Sequence, residues 1–169
     1  MREDNTEATD LREITELLNQ QFASIFTSGS DGQLPSVPLS NTTSQMNKII
    51  IDEAAVLKQL SNLDANKSAG SDDIHPRLLK EVACIITAPL TKIFQSSLNS
   101  GTIPSDWKEA HVAPIFEKGD KLRAENYRPI SLTSVVAKLL ERIMNDVIHD
   151  HLTTHVILSN NQHEFHHNK

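Results

Sequence analysis

The sequence contains little cysteine, few aromatic residues and no excess of positive charge. Its single cysteine, Cys84, excludes a disulfide framework and a cysteine-based zinc site. Aromatic residues make up only 4% of the 169 residues, which disfavours a small domain that binds nucleic acid by stacking on its bases. No apolar run approaches the roughly 20 residues that a membrane helix needs, so no membrane partner is predicted. The remaining composition is that of an ordinary globular chain.

Charge is distributed unevenly along the chain. Residues 1–64 contain 10 Asp or Glu and 4 Lys or Arg, whereas residues 65–169 contain 12 of each. The formal net charge of -6 therefore comes from the first part. Because phosphate contacts dominate affinity for nucleic acids, the neutral second part predicts weak or no nucleic-acid binding by this chain alone. Residues 1–5 show no signal-peptide pattern, so we expect an intracellular protein, in the nucleus or the cytoplasm.

Apolar residues recur every three or four positions in several segments, which predicts a mostly helical α+β chain. The first helix is expected to begin at Thr6, Thr9 or Asp10 and to end before Gly29 and Gly32. Residues 28–47 are rich in Ser, Gly, Pro, Asn and Thr, which favours a flexible linker. We therefore divide the chain into a helical region at 1–27, a linker at 28–47 and a folded region at 48–169.

Helices in the folded region are predicted from their caps and their apolar spacing. Asp52 is expected to cap one helix, and His75 with Pro76 to open another. Pro89 is predicted to end that helix and to start the next, while Cys84 is expected to be buried as a small hydrophobe. The apolar positions that we expect in the core are Val56, Leu57, Leu60, Leu63, Leu78, Leu79, Val82, Ile85, Ile86, Leu90, Ile93, Phe94, Leu98 and Trp107.

The longest helical pattern follows a cap at Thr133 or Ser134. Its apolar stripe, which we assign to the core, comprises Val135, Val136, Leu139, Leu140, Ile143, Met144, Val147, Ile148 and Leu152. Three charged residues between them, Lys138, Glu141 and Arg142, are predicted to lie on the solvated face.

Two extended segments, residues 112–116 and 127–132, flank a charged turn at residues 117–120, which predicts a short antiparallel hairpin. Lys118 and Arg128 stand near that turn. Their spacing alone leaves open an ordinary surface hairpin whose charges only interact with solvent. A loop is predicted at residues 66–73, where Gly70 could supply a positive φ beside Lys67 and Ser68. A lone Lys-Ser-x-Gly is weak evidence for a phosphate site.

The residues of four sequence segments, taken together, indicate a protein family much more specifically than the spacing of apolar and charged residues does. They read NKSAGSDDI at 66–74, APIFEKGD at 113–120, NYRPISL at 126–132 and ILSNNQHEF at 157–165. In this order they resemble the reverse transcriptase of LINE-type (non-LTR) retrotransposons, of the jockey-like kind. The corresponding family blocks usually read KSPGPDGI, PIFKKGD followed by NYRPISL, and QHGFR.

The resemblance implies the amino-terminal fingers portion of an RNA-directed DNA polymerase, whose partners are an RNA template and a DNA primer. Residues 18–27 then look like the connector helix that follows an upstream endonuclease domain. By the same resemblance, Lys118 and Arg128 match the residues that bind the incoming nucleotide. Lys67, Ser68 and Gly70 match the loop that contacts the template or primer.

Several positions depart from the family blocks. Ala69 and Ser71 replace two prolines, which is expected to loosen the loop. Asp73 replaces a glycine, which is expected to add about 1 kcal/mol of backbone strain if a positive φ is needed there. Glu117 replaces a lysine beside the predicted triphosphate site, which is expected to weaken nucleotide binding. Glu164 replaces the glycine of the last block.

No catalytic residue is predicted in this chain. Nucleotide addition needs two metal ions held by palm carboxylates, and the family's Tyr-x-Asp-Asp turn lies beyond residue 169. Asp72 and Asp73 belong to the loop and are not a substitute. The eight histidines form no His-Glu-x-x-His pattern, so no zinc site is predicted.

We therefore expect a polymerase fragment that is inactive alone, with Mg²⁺ as a cofactor of the full-length enzyme only. The alternative from another class is a helical protein-interaction module derived from a retroelement, which would bind partners through exposed apolar helix faces. A complete small nucleic-acid binder is disfavoured by the neutral charge and the scarce aromatic residues.

Overall fold

The computed structural model describes residues 7–26 and 45–157. Within them the chain forms α1 (Leu11–Ile25), α2 (Glu53–Ser61), α3 (Pro76–Glu81), α4 (Ala83–Ser100), β1 (Ala110–Phe116), β2 (Tyr127–Thr133) and α5 (Val135–Thr154). Two short 3-10 turns, Ser105–Lys108 and Ala124–Asn126, complete the set. Helix dominates and the two strands form one small antiparallel hairpin, so the predicted α+β class is confirmed.

The described residues fall into two compact units, one formed by 7–26 with 111–132 and the other by 45–110 with 133–157. The predicted division at the linker stays a prediction, because residues 28–44 lie outside the described part of the chain. All but the first residue of the block at 157–165 lies outside it as well.

In the first unit, α1 is capped by Asp10, which is one of the three predicted caps. Its carboxylate Oδ2 accepts hydrogen bonds from the backbone N–H groups of Arg12 (3.1 Å) and Glu13 (3.2 Å). Phe22 is buried, whereas Leu11 and Phe26 are exposed, so the apolar residues in and next to α1 are only partly covered. Gly29 and Gly32 lie outside the described residues.

The core of the second unit is built from α2, α4 and α5, with one side of α3 packed against them. The buried apolar residues are Ile51, Val56, Leu60, Leu63, Leu79, Ala83, Leu90, Phe94, Val135, Val136, Leu139, Leu140 and Ile143. Val56, Leu60, Phe94 and Leu139 are completely buried, which confirms the predicted core at these positions. The predicted stripe of α5 reaches the core only as far as Met144, because Val147, Ile148 and Leu152 are only partly buried and lie outside it. Trp107 also packs there, with its ring edge-on to Phe94 at a centroid distance of 5.7 Å.

Pro89 does not end a helix, contrary to the sequence prediction. The helical segment is interrupted at Val82, between α3 and α4. Helix α4 then continues through Pro89 to Ser100. A proline in this place has no N–H to donate to the carbonyl oxygen of Ile85. Both Ile85 and Pro89 lie on the exposed side of α4, where water can bind that oxygen instead. The lost hydrogen bond is therefore tolerated.

Cys84 is exposed, so its predicted burial is wrong. Ala83, the first residue of α4, faces the core and is buried. Successive helical residues are rotated by about 100°, which turns Cys84 away from the core. Three other residues that we assigned to the core from their spacing are also exposed: Leu78, Ile85 and Ile93. They lie on the sides of α3 and α4 that face away from the core.

None of the helices in the described residues combines the length and the apolar character needed to cross a bilayer.

Replacing Pro89 with alanine should stabilise the chain. The change Pro89→Ala restores the N–H that α4 lacks, and we expect the free energy of unfolding to rise by about 1–3 kcal/mol in urea denaturation followed by circular dichroism. The control is Pro104→Ala in the loop before residues 105–108, which should leave stability unchanged or lower it slightly. A Pro89→Ala protein no more stable than the parent would contradict this account of α4.

Candidate functional site

In the second unit, the loop at residues 66–74 is fixed to the start of α5. Ser134, the fully buried N-cap of α5, donates its hydroxyl to Asp72 Oδ2 at 2.6 Å and accepts from the N–H of Ala137 at 3.3 Å. Asp72 Oδ1 in turn accepts from the N–H of Ile74 at 3.2 Å. The hydroxyl of Ser71 donates to the carbonyl oxygen of Glu109 at 2.9 Å. Hydrogen bonds of the Ser71 and Asp72 side chains thus fix the position of the loop.

Gly70 is needed for close packing and not for a positive φ. The glycines with positive φ in the described residues are Gly101 and Gly119, so the predicted role of Gly70 is wrong. A Cβ added at Gly70 would lie 2.3 Å from the carbonyl oxygen of Thr133, a distance that forces the backbone apart. The residue that does adopt a positive φ is Asp73 (54°), where the family has glycine, so the predicted strain in this loop has a structural basis.

Lys67 and Ser68 line a cavity of about 150 Å³ together with two cations of α5, Lys138 and Arg142. Arg142 is exposed, as predicted for the solvated face, whereas Lys138 is half-buried, and both residues also line this cavity. The available signal was their four-residue spacing, which places two like charges on one face of a helix. What that face opposes depends on tertiary packing, which the spacing does not specify.

In the first unit, Lys118 lies in the turn between the strands and Arg128 is the second residue of β2, and both are exposed. A backbone hydrogen bond from the N–H of Glu117 to the carbonyl oxygen of Asn126 (3.0 Å) closes the hairpin between them. The two predicted nucleotide ligands therefore belong to the same end of the hairpin. Arg128 Nη1 lies 3.3 Å from Glu117 Oε1, so the acid that replaces the family's lysine pairs with this arginine.

Local contacts hold the turn. The rings of Phe116 and Tyr127 meet edge-on across the strands, with centroids 5.5 Å apart. The hydroxyl of Tyr127 donates to the carbonyl oxygen of Lys121 at 3.0 Å, and Asn126 Nδ2 donates to that of Asp120 at 2.8 Å. Gly119 has a φ of 92°, which favours glycine at this position of the turn.

The described residues do not provide a centre for catalytic metal ions. No three His, Cys, Asp or Glu side chains come together among residues 7–26 and 45–157 in a way that could hold an ion. Both carboxylate oxygens of Asp72 accept hydrogen bonds within the protein, which fits a structural role for this acid.

Enlarging Gly70 should release the loop from α5. We expect Gly70→Ala to lower the free energy of unfolding by about 1–3 kcal/mol, because its methyl group would collide with the Thr133 backbone. Asp73→Gly, a change in the same loop, should instead raise it by about 1 kcal/mol by relieving the positive φ. Chemical denaturation measures both. If Gly70→Ala left stability unchanged, the close approach to Thr133 would be disproved.

Comparison with known proteins identifies the relatives of the chain. No protein-family model matches it. Over 111 residues it is 31% identical to the probable RNA-directed DNA polymerase from transposon BS of Drosophila melanogaster, covering 65% of this chain and 12% of that protein. Over 96 residues it is 30% identical to the RNA-directed DNA polymerase from mobile element jockey of Drosophila melanogaster, covering 54% of this chain and 10% of that protein.

These matches favour the polymerase interpretation over the interaction module, and the chain spans only about a tenth of the length of the curated relatives it matches. The resemblance found in the sequence blocks is confirmed: over about half to two thirds of its length, the chain is similar to the RNA-directed DNA polymerases of two Drosophila melanogaster mobile elements, one of which is jockey.

Proposed function

We propose that this chain is the fingers portion of such a polymerase, in which the hairpin binds the incoming nucleotide and the loop at 66–74 contacts the template or primer. The similarity to two mobile-element polymerases supports the enzyme class. The observation that carries the finer proposal is the pair of exposed cations at one end of the hairpin, Lys118 and Arg128. RNA template and DNA primer are the partners of the whole enzyme.

A nucleoside triphosphate suits these two side chains. The triphosphate is strongly anionic, and more charge develops on the pyrophosphate as it leaves. Arg128 offers a planar guanidinium that can bind two phosphate oxygens at once, and Lys118 offers a mobile point charge. The contact between the Phe116 and Tyr127 rings stabilises the hairpin that carries the cations, next to its turn.

Glu117 weakens this site. Its carboxylate already neutralises Arg128, so a phosphate must compete with an internal anion and also meets the repulsion of that anion. The pair itself stabilises the fold very little, since both side chains are at least half exposed and such surface pairs contribute roughly 0.2–1 kcal/mol. Glu117 thus affects nucleotide binding more than folding.

The chain alone adds no nucleotides. Its one tyrosine, Tyr127, is followed by Arg-Pro-Ile, so the sequence contains no Tyr-x-Asp-Asp segment. Mg²⁺ is a cofactor of the longer polymerase in this proposal. Primer extension with Mg²⁺ on an RNA template is expected to yield no DNA, and a product made by the purified chain would contradict the proposal.

Restoring a lysine at position 117 should strengthen nucleotide binding. We expect Glu117→Lys to increase the affinity for a deoxynucleoside triphosphate about tenfold, because it frees Arg128 and adds a third cation. An NMR titration of the full chain measures this through the amide signals of residues 116–128. Stability should change by less than about 1 kcal/mol.

The matched control is Glu125→Lys, which makes the same charge change in the other exposed ion pair of this region, Arg123 with Glu125 at 3.1 Å. Because Glu125 pairs with Arg123 and not with Arg128, the control does not free Arg128 and should raise the affinity much less. Equal effects of the two variants would mean that only the total charge matters and would remove the nucleotide site from the hairpin.

A further inference from the structure

The cavity beside the loop at 66–74 contains a concentration of positive charge that the nucleotide proposal does not use. Its wall is formed by the end of α2, the loop, the start of α3 and the first two turns of α5. The lining residues are Asn62, Leu63, Asp64, Lys67, Ser68, Pro76, Val135, Lys138 and Arg142. Three of them are cations and one is an acid, so the cavity is cationic within a chain whose net charge is -6.

Three cations of the lining have no ion-pair partner among the residues that the structure describes. Within the described part of the chain, Lys67, Lys138 and Arg142 form no ion pair closer than 4.0 Å. Lys138 and Arg142 are four residues apart on α5, where like charges repel each other, and Lys138 is half-buried. Asp64 is the only compensating side chain of the lining, and its Oδ1 accepts a hydrogen bond from the N–H of Asn66 at 3.0 Å.

The size of the cavity selects the chemical group. Three apolar residues of its lining, Leu63, Pro76 and Val135, are buried. A volume of about 150 Å³ lies below the roughly 300–1,000 Å³ of pockets that enclose whole organic ligands. A compact anionic group fits better than a nucleoside. The lining offers three cationic donors and the Ser68 hydroxyl, but no aromatic ring on which a base could stack.

We propose that Lys67, Ser68, Lys138 and Arg142 form a subsite for neighbouring phosphates of a nucleic-acid backbone. This deepens the proposed template contact of the loop and rests on it for the identity of the strand. Lys138 and Arg142, which no sequence block assigns, are its new ligands. Since the lining presents charge and hydroxyl donors without a base-stacking ring, binding is expected to be independent of sequence.

The test is a fluorescence anisotropy titration of the full 169-residue chain with a labelled single-stranded oligouridylate. It is run from low to physiological salt, because a few phosphate contacts give measurable affinity only when counterions are dilute. The variant is the double change Lys138→Gln and Arg142→Gln. We expect it to weaken binding at low salt at least tenfold and to reduce the salt slope by about 1.4, the loss of two phosphate contacts on a single strand.

The matched control is Lys92→Gln with Lys108→Gln, which removes the same charge from exposed positions of the same unit outside the cavity. It should bind like the parent, and Lys138→Arg should retain binding. Circular dichroism of each variant reports whether the fold is intact. If both double variants lose affinity equally, bulk charge alone accounts for binding and the subsite is overturned.

Two further outcomes also oppose the proposal. A parent chain that fails to bind the oligouridylate even at low salt has no such subsite. Competition by inorganic phosphate as effective as that by RNA of the same phosphate concentration would assign the cavity to a free anion and not to a strand. Nucleotide binding by the hairpin is measured separately through residues 116–128, so failure of the subsite and failure of the proposed nucleotide site are distinguishable.

Discussion

The hydrogen bond between the Ser134 hydroxyl and the Asp72 carboxylate is the contact on which the second unit's candidate site depends. It joins residues 62 positions apart, and Ser134 is fully buried. The same hydroxyl accepts from Ala137 and so begins α5, while the α5 dipole favours a negative charge at Asp72. One side chain therefore starts a helix and anchors a loop. Gly70 permits this arrangement, since any larger residue would collide with Thr133.

The position of the loop at 66–74 determines which charged side chains lie close together in the second unit. Once it is fixed, Lys67 shares a cavity with Lys138 and Arg142, and these cations have no internal ion-pair partner within the described residues. The hairpin of the first unit shows the opposite state, because Arg128 is already paired with Glu117. Phosphate affinity is therefore expected to be stronger at the loop than at the hairpin. In this proposal, the chain retains contacts with the phosphates of a nucleic-acid backbone more readily than it retains nucleotide binding.

Features set by neighbouring residues could be predicted from the sequence, whereas features set by distant ones could not. The caps at Asp10 and Ser134 follow from local hydrogen bonding, and the helix cores follow from apolar spacing. Gly70 was assigned a positive φ because its contact with Thr133, far along the chain, leaves no local signal. The apolar segment around Cys84 predicts its burial, but the side of α4 that faces the core is set by packing with other helices and leaves Cys84 exposed. The proposed role of Lys138 depends on which loop α5 faces, which its spacing does not specify, whereas the sequence blocks alone indicated the similarity to mobile-element polymerases.

A double-mutant cycle on Asp72→Ala and Ser134→Ala tests the central claim most directly. The free energies of unfolding of the parent, the two single variants and the double variant give the coupling between the side chains. A hydrogen bond to a charged group in a partly buried place predicts a coupling of about 1.5–3 kcal/mol. Single effects that add to within about 0.5 kcal/mol would show that the loop does not depend on this contact and would contradict the account.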